Sequence, residues 1–217
     1  MANPSIHQST LRFPLNEILG SRAAVRVLRE LCRHGGDLSV SHLAALTRLT
    51  AQGVRDALAG LGNTNIIEAI GSGKTMLYRL RRTHPLADIL DALFLAEAKR
   101  DQEIRDAIKE AADRPGVIAC WLYGSYARGN DQSGSDLDIA LVIDMDSPCE
   151  RTDDAIRDQL RQIGDRLGFT PSVVTIGTAD VLHLSHGDPW WINIAAEAIP
   201  LKGQRPSELA ASIKRKA

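Results

Sequence analysis

The apolar run Val117–Tyr123 stops at Gly124-Ser125, and after a polar loop over residues 130–135 a second apolar run begins on Asp136-Leu137-Asp138 and continues to Ile143. Such uninterrupted runs read as buried strands, and the glycine-led break between them fixes where the chain must turn. On the second strand, positions i and i+2 share a face, so Asp136 and Asp138 stand together while Leu137 and Ile139 turn to the other side. Adjacent carboxylates repel unless something positive lies between them, and hard oxygen donors in this arrangement suit Mg²⁺ (or Mn²⁺). Gly124 lets the backbone approach a ligand closely. Ser125 begins a short helix whose hydroxyl and N–H groups suit a phosphate.

Upstream, Ser21 to His34 places Ala24, Val25, Val27, Leu28 and Leu31 on one helical stripe, with Arg22, Arg26, Arg29 and Arg33 elsewhere and Gly35-Gly36 as the stop. A second short helix is expected over residues 42–46, and Thr50 caps a third that turns Val54, Leu58 and Leu61 inward. Strand-like runs at 66–70 and 76–80 flank Gly71-Ser72-Gly73-Lys74, a hairpin signal. Gly73-Lys74-Thr75 resembles the end of a phosphate-binding P-loop, but Glu68 stands where that motif needs glycine, and a hairpin is the wrong setting. Residues 87–114 read as Ala-rich helices ended by Pro115-Gly116.

A chain of 217 residues favours two domains, and dividing it near residues 84–86 separates opposite charges. Residues 1–86 hold 11 Lys and Arg against 5 Asp and Glu, whereas residues 87–217 hold 15 against 22. Only the first half is suited to meet a polyanion directly. No run approaches the ~18 apolar residues of a membrane span, and residues 1–13 lack the pattern of a secretory signal. A cytoplasmic protein is expected. Cys32, Cys120 and Cys149 fit neither a disulfide framework nor a zinc site, and the first two read as buried small side chains.

Three helices followed by a hairpin resemble a winged helix-turn-helix of bacterial transcription regulators, over about residues 15–82. In that fold the third helix enters the major groove, so the resemblance implies that Thr50, Gln52, Arg55 and Asn63 face bases or phosphates and that Lys74, Arg79, Arg81 and Arg82 contact phosphates. A protein-interaction wing with solvated arginines is the competing reading.

Gly124-Ser125 and Asp136-x-Asp138, with Arg128-Gly129 completing a Ser-x-x-Arg-Gly context, resemble the minimal nucleotidyltransferases of the DNA polymerase β superfamily. The likeness runs over about residues 98–203, taking in Trp190 to Ile194 as the closing helix and Ile199 to Gly203 as the tail. The whole chain is thus expected to be α/β (α+β): a winged helix-turn-helix over residues 1–86, then a nucleotidyltransferase domain over 87–217 with a small mixed sheet flanked by helices. The resemblance implies that Gly124, Ser125 and Arg128 bind the nucleotide, ATP being the expected NTP, and that Asp136 and Asp138 are the catalytic, Mg²⁺-binding pair.

The family's third carboxylate comes from a later strand, here Pro171 to Ile176, and the expected position holds Ser172. A hydroxyl replaces neither a base nor a strong metal ligand. Three accounts stay open: another acid such as Glu150 or Asp153, a group supplied by a partner, or nucleotide binding without turnover. His183 and His186 read as surface helix residues and Trp190 and Trp191 as core. Little chain follows Gly203 to hold a small acceptor, so a macromolecular acceptor is expected, and family members in toxin–antitoxin pairs modify a toxin hydroxyl or tRNA. The reading is a DNA-binding nucleotidyltransferase that regulates its own transcription, with DNA and a toxin or tRNA as partners and no membrane. The alternative is a regulator whose degenerate domain senses a nucleotide as effector. A homodimer paired through residues 86–98 is compatible with either.

Overall fold

The computed structural model describes residue 9 and residues 11–73, 76–144 and 149–215. The chain divides into two compact units, residues 1–98 and 99–217.

The first unit holds α1 (Leu15–Ile18), α2 (Arg22–His34), β1 (Leu38–Ser39), α3 (Val40–Thr47), α4 (Ala51–Asn63), β2 (Ile67–Ile70) and β3 (Leu77–Leu80). Ser21 caps α2, its hydroxyl accepting from the Ala24 amide at 3.0 Å, and Gly35 at φ 69° ends it. Ala24, Val27, Leu28 and Leu31 are buried, and Val25 is only partly so. Thr50 caps α4 through the Gly53 amide at 3.1 Å, and Val54, Ala57, Leu58 and Leu61 face the same core. β2 and β3 pair antiparallel from Ile67↔Leu80 to Ile70↔Leu77. β1, which the sequence did not announce, pairs with β3 at Leu38↔Tyr78 and gives the order β1-β3-β2.

Helix α5 (Ala87–Ala112) is continuous, because no proline or glycine interrupts it before Pro115-Gly116. Its first turns bury Ala87, Leu90 and Phe94 in the first unit's core. The division between units therefore falls inside α5, between Ala98 and Lys99, rather than at its start.

The second unit continues with β4 (Val117–Tyr123), α6 (Gly124–Arg128), β5 (Leu137–Ile143), α7 (Cys149–Leu167), β6 (Pro171–Gly177), α8 (Thr178–Leu184), α9 (Pro189–Glu197), β7 (Ile199–Lys202) and α10 (Pro206–Lys214). The sheet order is β6-β5-β4-β7; β5 and β6 run parallel, joined by α7, and the other pairs are antiparallel. The alternation of β4 and β5 divides their side chains between two cores. Cys120, Leu122, Ile139 and Leu141 pack with Ile104 and Ile108 of α5 and Ile156 and Leu160 of α7. Trp121, Ala140 and Val142 pack with Val181 of α8, Trp191 and Ile194 of α9 and Leu209 of α10. Among the described residues no helix is long and apolar enough to cross a membrane.

Trp121 is fully buried; its indole N–H donates to the Gln204 carbonyl at 2.9 Å, and its ring meets Trp191 edge-to-face at 6.0 Å. Trp191 is thus core, while Trp190 is partly exposed against Tyr123 at 5.8 Å. Truncating Trp191 to Ala should destabilise the second unit by about 3–5 kcal/mol. All three tryptophans lie in that unit, so a lower urea midpoint read by tryptophan fluorescence checks this directly.

Candidate functional site

The site grows from the antiparallel register of β4 and β5, which sets Tyr123 opposite Asp138. The residue after Tyr123 must then turn directly over the Asp138 carboxylate. Gly124 does so at φ +72°, and a Cβ placed there would lie 2.1 Å from Asp138 Oδ2. Only glycine meets both demands, because L-residues disfavour that φ and no side chain has room.

Gly124 leads into α6, whose far end is fixed by Gly129 and Asn130 amides donating to the Tyr126 and Ser125 carbonyls, each at 3.0 Å. Tyr126 ties this turn to α5: its hydroxyl donates to Asp101, and the Arg105 guanidinium lies over its ring at 5.6 Å. Burial, reinforced by the Asp101 hydrogen bond, pushes the Tyr126 hydroxyl up to about 12. Ser125 is thereby held at the mouth of the loop, half-buried.

Asp136 is exposed just before β5, and Asp138 is half-buried within it. Asp138 holds its proton more tightly than an ordinary aspartate, first because burial disfavours its charge, then because Asp136 and Glu197 are negative nearby. The Ser172 hydroxyl, donating to it, and Arg128 act in the opposite direction. The parallel register of β5 and β6 places Ser172 directly opposite Asp138.

Asp153 lies elsewhere. It accepts from the Thr175 hydroxyl at 2.6 Å and from Arg157 at 2.9 Å. Thr175 is three residues beyond Ser172, so it points to the other face of the sheet. The Glu150 side chain is outside the described residues.

A carboxylate that sequence reasoning missed does reach the loop. Glu197, the last residue of α9, accepts from the Gly124 amide at 2.8 Å and pairs with Arg128 at 2.8 and 2.7 Å through its two oxygens. It lies 73 positions from Gly124 in an alanine-rich stretch, and its one signal was Arg128, a cation without an evident local partner.

Two hard oxygen donors whose charges oppose each other fit a divalent cation of the Mg²⁺ type, completed by phosphate oxygens. Among the described residues no group of three or more His, Cys, Asp and Glu gathers for a metal, His183 and His186 included. Cys32 and Cys120 are both pushed up to about 12, chiefly by burial, so neither is a nucleophile at neutral pH.

The residues expected to meet DNA lie in the first unit. Thr50 spends its hydroxyl on capping α4, and Gln52 donates to Asp56 at 2.7 Å. Arg55 is exposed and lines a groove with Ser41, Ala51 and Tyr78. Asn63 is exposed at the end of α4. Arg79 pairs with Glu68 at 2.5 Å and with Asp37 at 3.7 Å, and Arg82 pairs with Asp91. Arg81 is partly buried, its Nε without a hydrogen-bond partner among the described residues. Lys74 is outside the described residues.

Among solved structures the chain is similar to a crystal structure of a toxin–antitoxin with AMP-PNP, at 17% identity over 54% of this chain and 84% of that one, TM-score 0.33. It is also similar to a mutant of the toxin–antitoxin MntA-HpeT, at 16% identity over 55% and 84%, TM-score 0.31. Among curated proteins no significant match is found. Residues 105–187, which contain Gly124, Ser125, Arg128, Asp136, Asp138 and Ser172, match the family model of the polymerase beta nucleotidyltransferases.

Proposed function

We propose that the second unit binds an NTP, ATP first among them, with Mg²⁺, and transfers its nucleoside monophosphate to a hydroxyl of a macromolecular acceptor. The observation that carries this reading is the placing of Gly124-Ser125 directly over Asp138 by the Tyr123↔Asp138 pair. In the reaction the acceptor oxygen bonds to the α-phosphorus, the bond to the bridging oxygen breaks, and pyrophosphate leaves. Asp136 and Asp138 would hold the metal, which supplies neutralisation of the phosphate charge when bound. Ser125 and the loop amides orient the triphosphate, and Arg128 adds positive charge beside them. Ser172 cannot take the hydroxyl proton, and Asp153 faces the other side of the sheet, which favours a base brought by the acceptor or its carrier. A toxin paired with this chain, or a tRNA, suits that requirement.

The first unit, on this reading, is a winged helix whose α4 and β2–β3 hairpin meet DNA, so that the chain represses its own operon. Arg55 carries the recognition surface, because Arg79 and Arg82 are already engaged by acids. A second reading, a regulator that senses nucleotide without turnover, is favoured by one observation, the hydroxyl of Ser172 where a carboxylate would act.

Labelled transfer decides between them. With Mg²⁺ and α-phosphate-labelled NTPs, label should enter tRNA or a lysate protein, and Asp138→Ala should reduce it at least about a hundredfold. No label, with nucleotide binding that alters DNA affinity, would establish the sensor. Gly124→Ala should abolish nucleotide binding, and its φ alone should cost roughly 1–2 kcal/mol of stability in chemical denaturation.

Asp138→Asn, by contrast, should raise the melting temperature of the ligand-free protein at neutral pH, because it removes a charge that burial disfavours. That gain disappears as the pH falls below the ordinary carboxylate range, where the aspartate is protonated in both folded and unfolded chains. On DNA, Arg55→Ala should weaken operator binding and lower the salt dependence by about one counterion; an unchanged salt slope in a binding titration would remove Arg55 from the interface.

A further inference from the structure

We propose that Glu197 is a positioning residue for the phosphate loop, a role that rests on the nucleotidyltransferase reading above. Its carboxylate joins the two ends of α6, accepting from the Gly124 amide at the start and pairing with Arg128 at the finish. The side chain is only 15% exposed, so these contacts are partly shielded from water and from salt. Gly124 is thereby fixed from two directions: Glu197 holds its amide, and Asp138 stands against its Cα.

Glu197 is itself well anchored. Asp188 caps α9 through the Trp190 and Trp191 amides, and Trp191 and Ile194 are buried. Directly after it, β7 pairs with β4 at Leu122↔Ile199, two residues before Gly124. The carboxylate therefore projects from an anchored helix end onto the glycine turn of the site. Both of its oxygens are engaged by Arg128, which makes it a poor metal ligand and keeps its charge from adding fully to those of Asp136 and Asp138. Its work is to hold the loop at the spacing from Asp138 that a metal-bound triphosphate needs, so that less ordering remains to be done on binding.

The test uses the full chain with Glu197→Ala and Glu197→Gln, the second keeping an amide oxygen to accept from Gly124 while losing the charge on Arg128. In the Ala variant, amides of the loop peptide over residues 123–130 should exchange with deuterium about tenfold faster, with β5 and β6 peptides unchanged. ATP affinity in Mg²⁺, by calorimetry, should fall about tenfold or more, with Gln intermediate, while binding of Mn²⁺ alone, by electron paramagnetic resonance, should not move. Unchanged exchange in both variants overturns the proposal, and so does tighter ATP binding in the Ala variant, which would make Glu197 an occupant of the phosphate cradle. Faster loop exchange in a protein whose wild type binds no nucleotide would uphold the clamp and overturn the transferase reading.

Discussion

The antiparallel pairing of Tyr123 with Asp138 is the contact on which the rest of the second unit depends. It brings the exit of one strand against the entry of the next, so the turn that follows β4 must pass over the first carboxylate inside β5. A slip of one residue would send Asp138 into the core built on α5 and α7 and place an apolar side chain at the loop. The slip is opposed by both faces at once, because Leu137, Ile139 and Leu141 are matched to one core and Ala140 and Val142 to the other. The same strand then carries the register outward, setting Ser172 beside Asp138 on one flank, while β7, on the other edge of β4, sets Glu197 beside Gly124.

Around that pair the charges are arranged rather than merely collected. Asp136, Asp138 and Glu197 are negative and Arg128 is positive, and the cation is committed to the residue that does not belong to the Asp-x-Asp motif. The Asp136 charge raises the proton affinity of Asp138 on top of its burial, and the Ser172 hydroxyl and Arg128 offset this only in part. A ligand-free site of this kind is electrostatically incomplete. On the proposed reading a divalent cation would complete it, and a polyphosphate would bring its negative oxygens to the cation and loop together.

Much of this was legible in the sequence because it rests on local rules. Thr50 and Gly35 mark helix ends by hydrogen bonds spanning three or four residues, and the two strands of the site follow from their apolar runs, although Asp136 falls just before β5 rather than on it. β1 was not legible, since two residues carry no period. Nor was the placing of Asp153: a helix presents acids on every side, and only the Thr175 and Arg157 contacts reveal which one it uses. Arg79 and Arg82 read as free cations until the fold brought Glu68 and Asp91 to them. Glu197 was hidden for the same reason, because a contact across 73 residues leaves no spacing to detect.

The hydroxyl of Ser172 bears on function through what it does and what it omits. On the proposed reading, by donating to Asp138 it favours the ionised form that a metal would require, against the burial that raises the proton affinity of that carboxylate, and so serves the binding half of the chemistry. It adds no negative charge and accepts no proton, so the half that activates an acceptor is missing from this strand. Glu197 does not fill the gap, because Arg128 occupies both of its oxygens. If the proposed reading holds, a site suited to a metal-bound nucleotide but without a base of its own on β6 depends on what is presented to it. On that reading an acceptor that brings its own base would complete a transferase, and without one the same residues would hold the nucleotide as a signal.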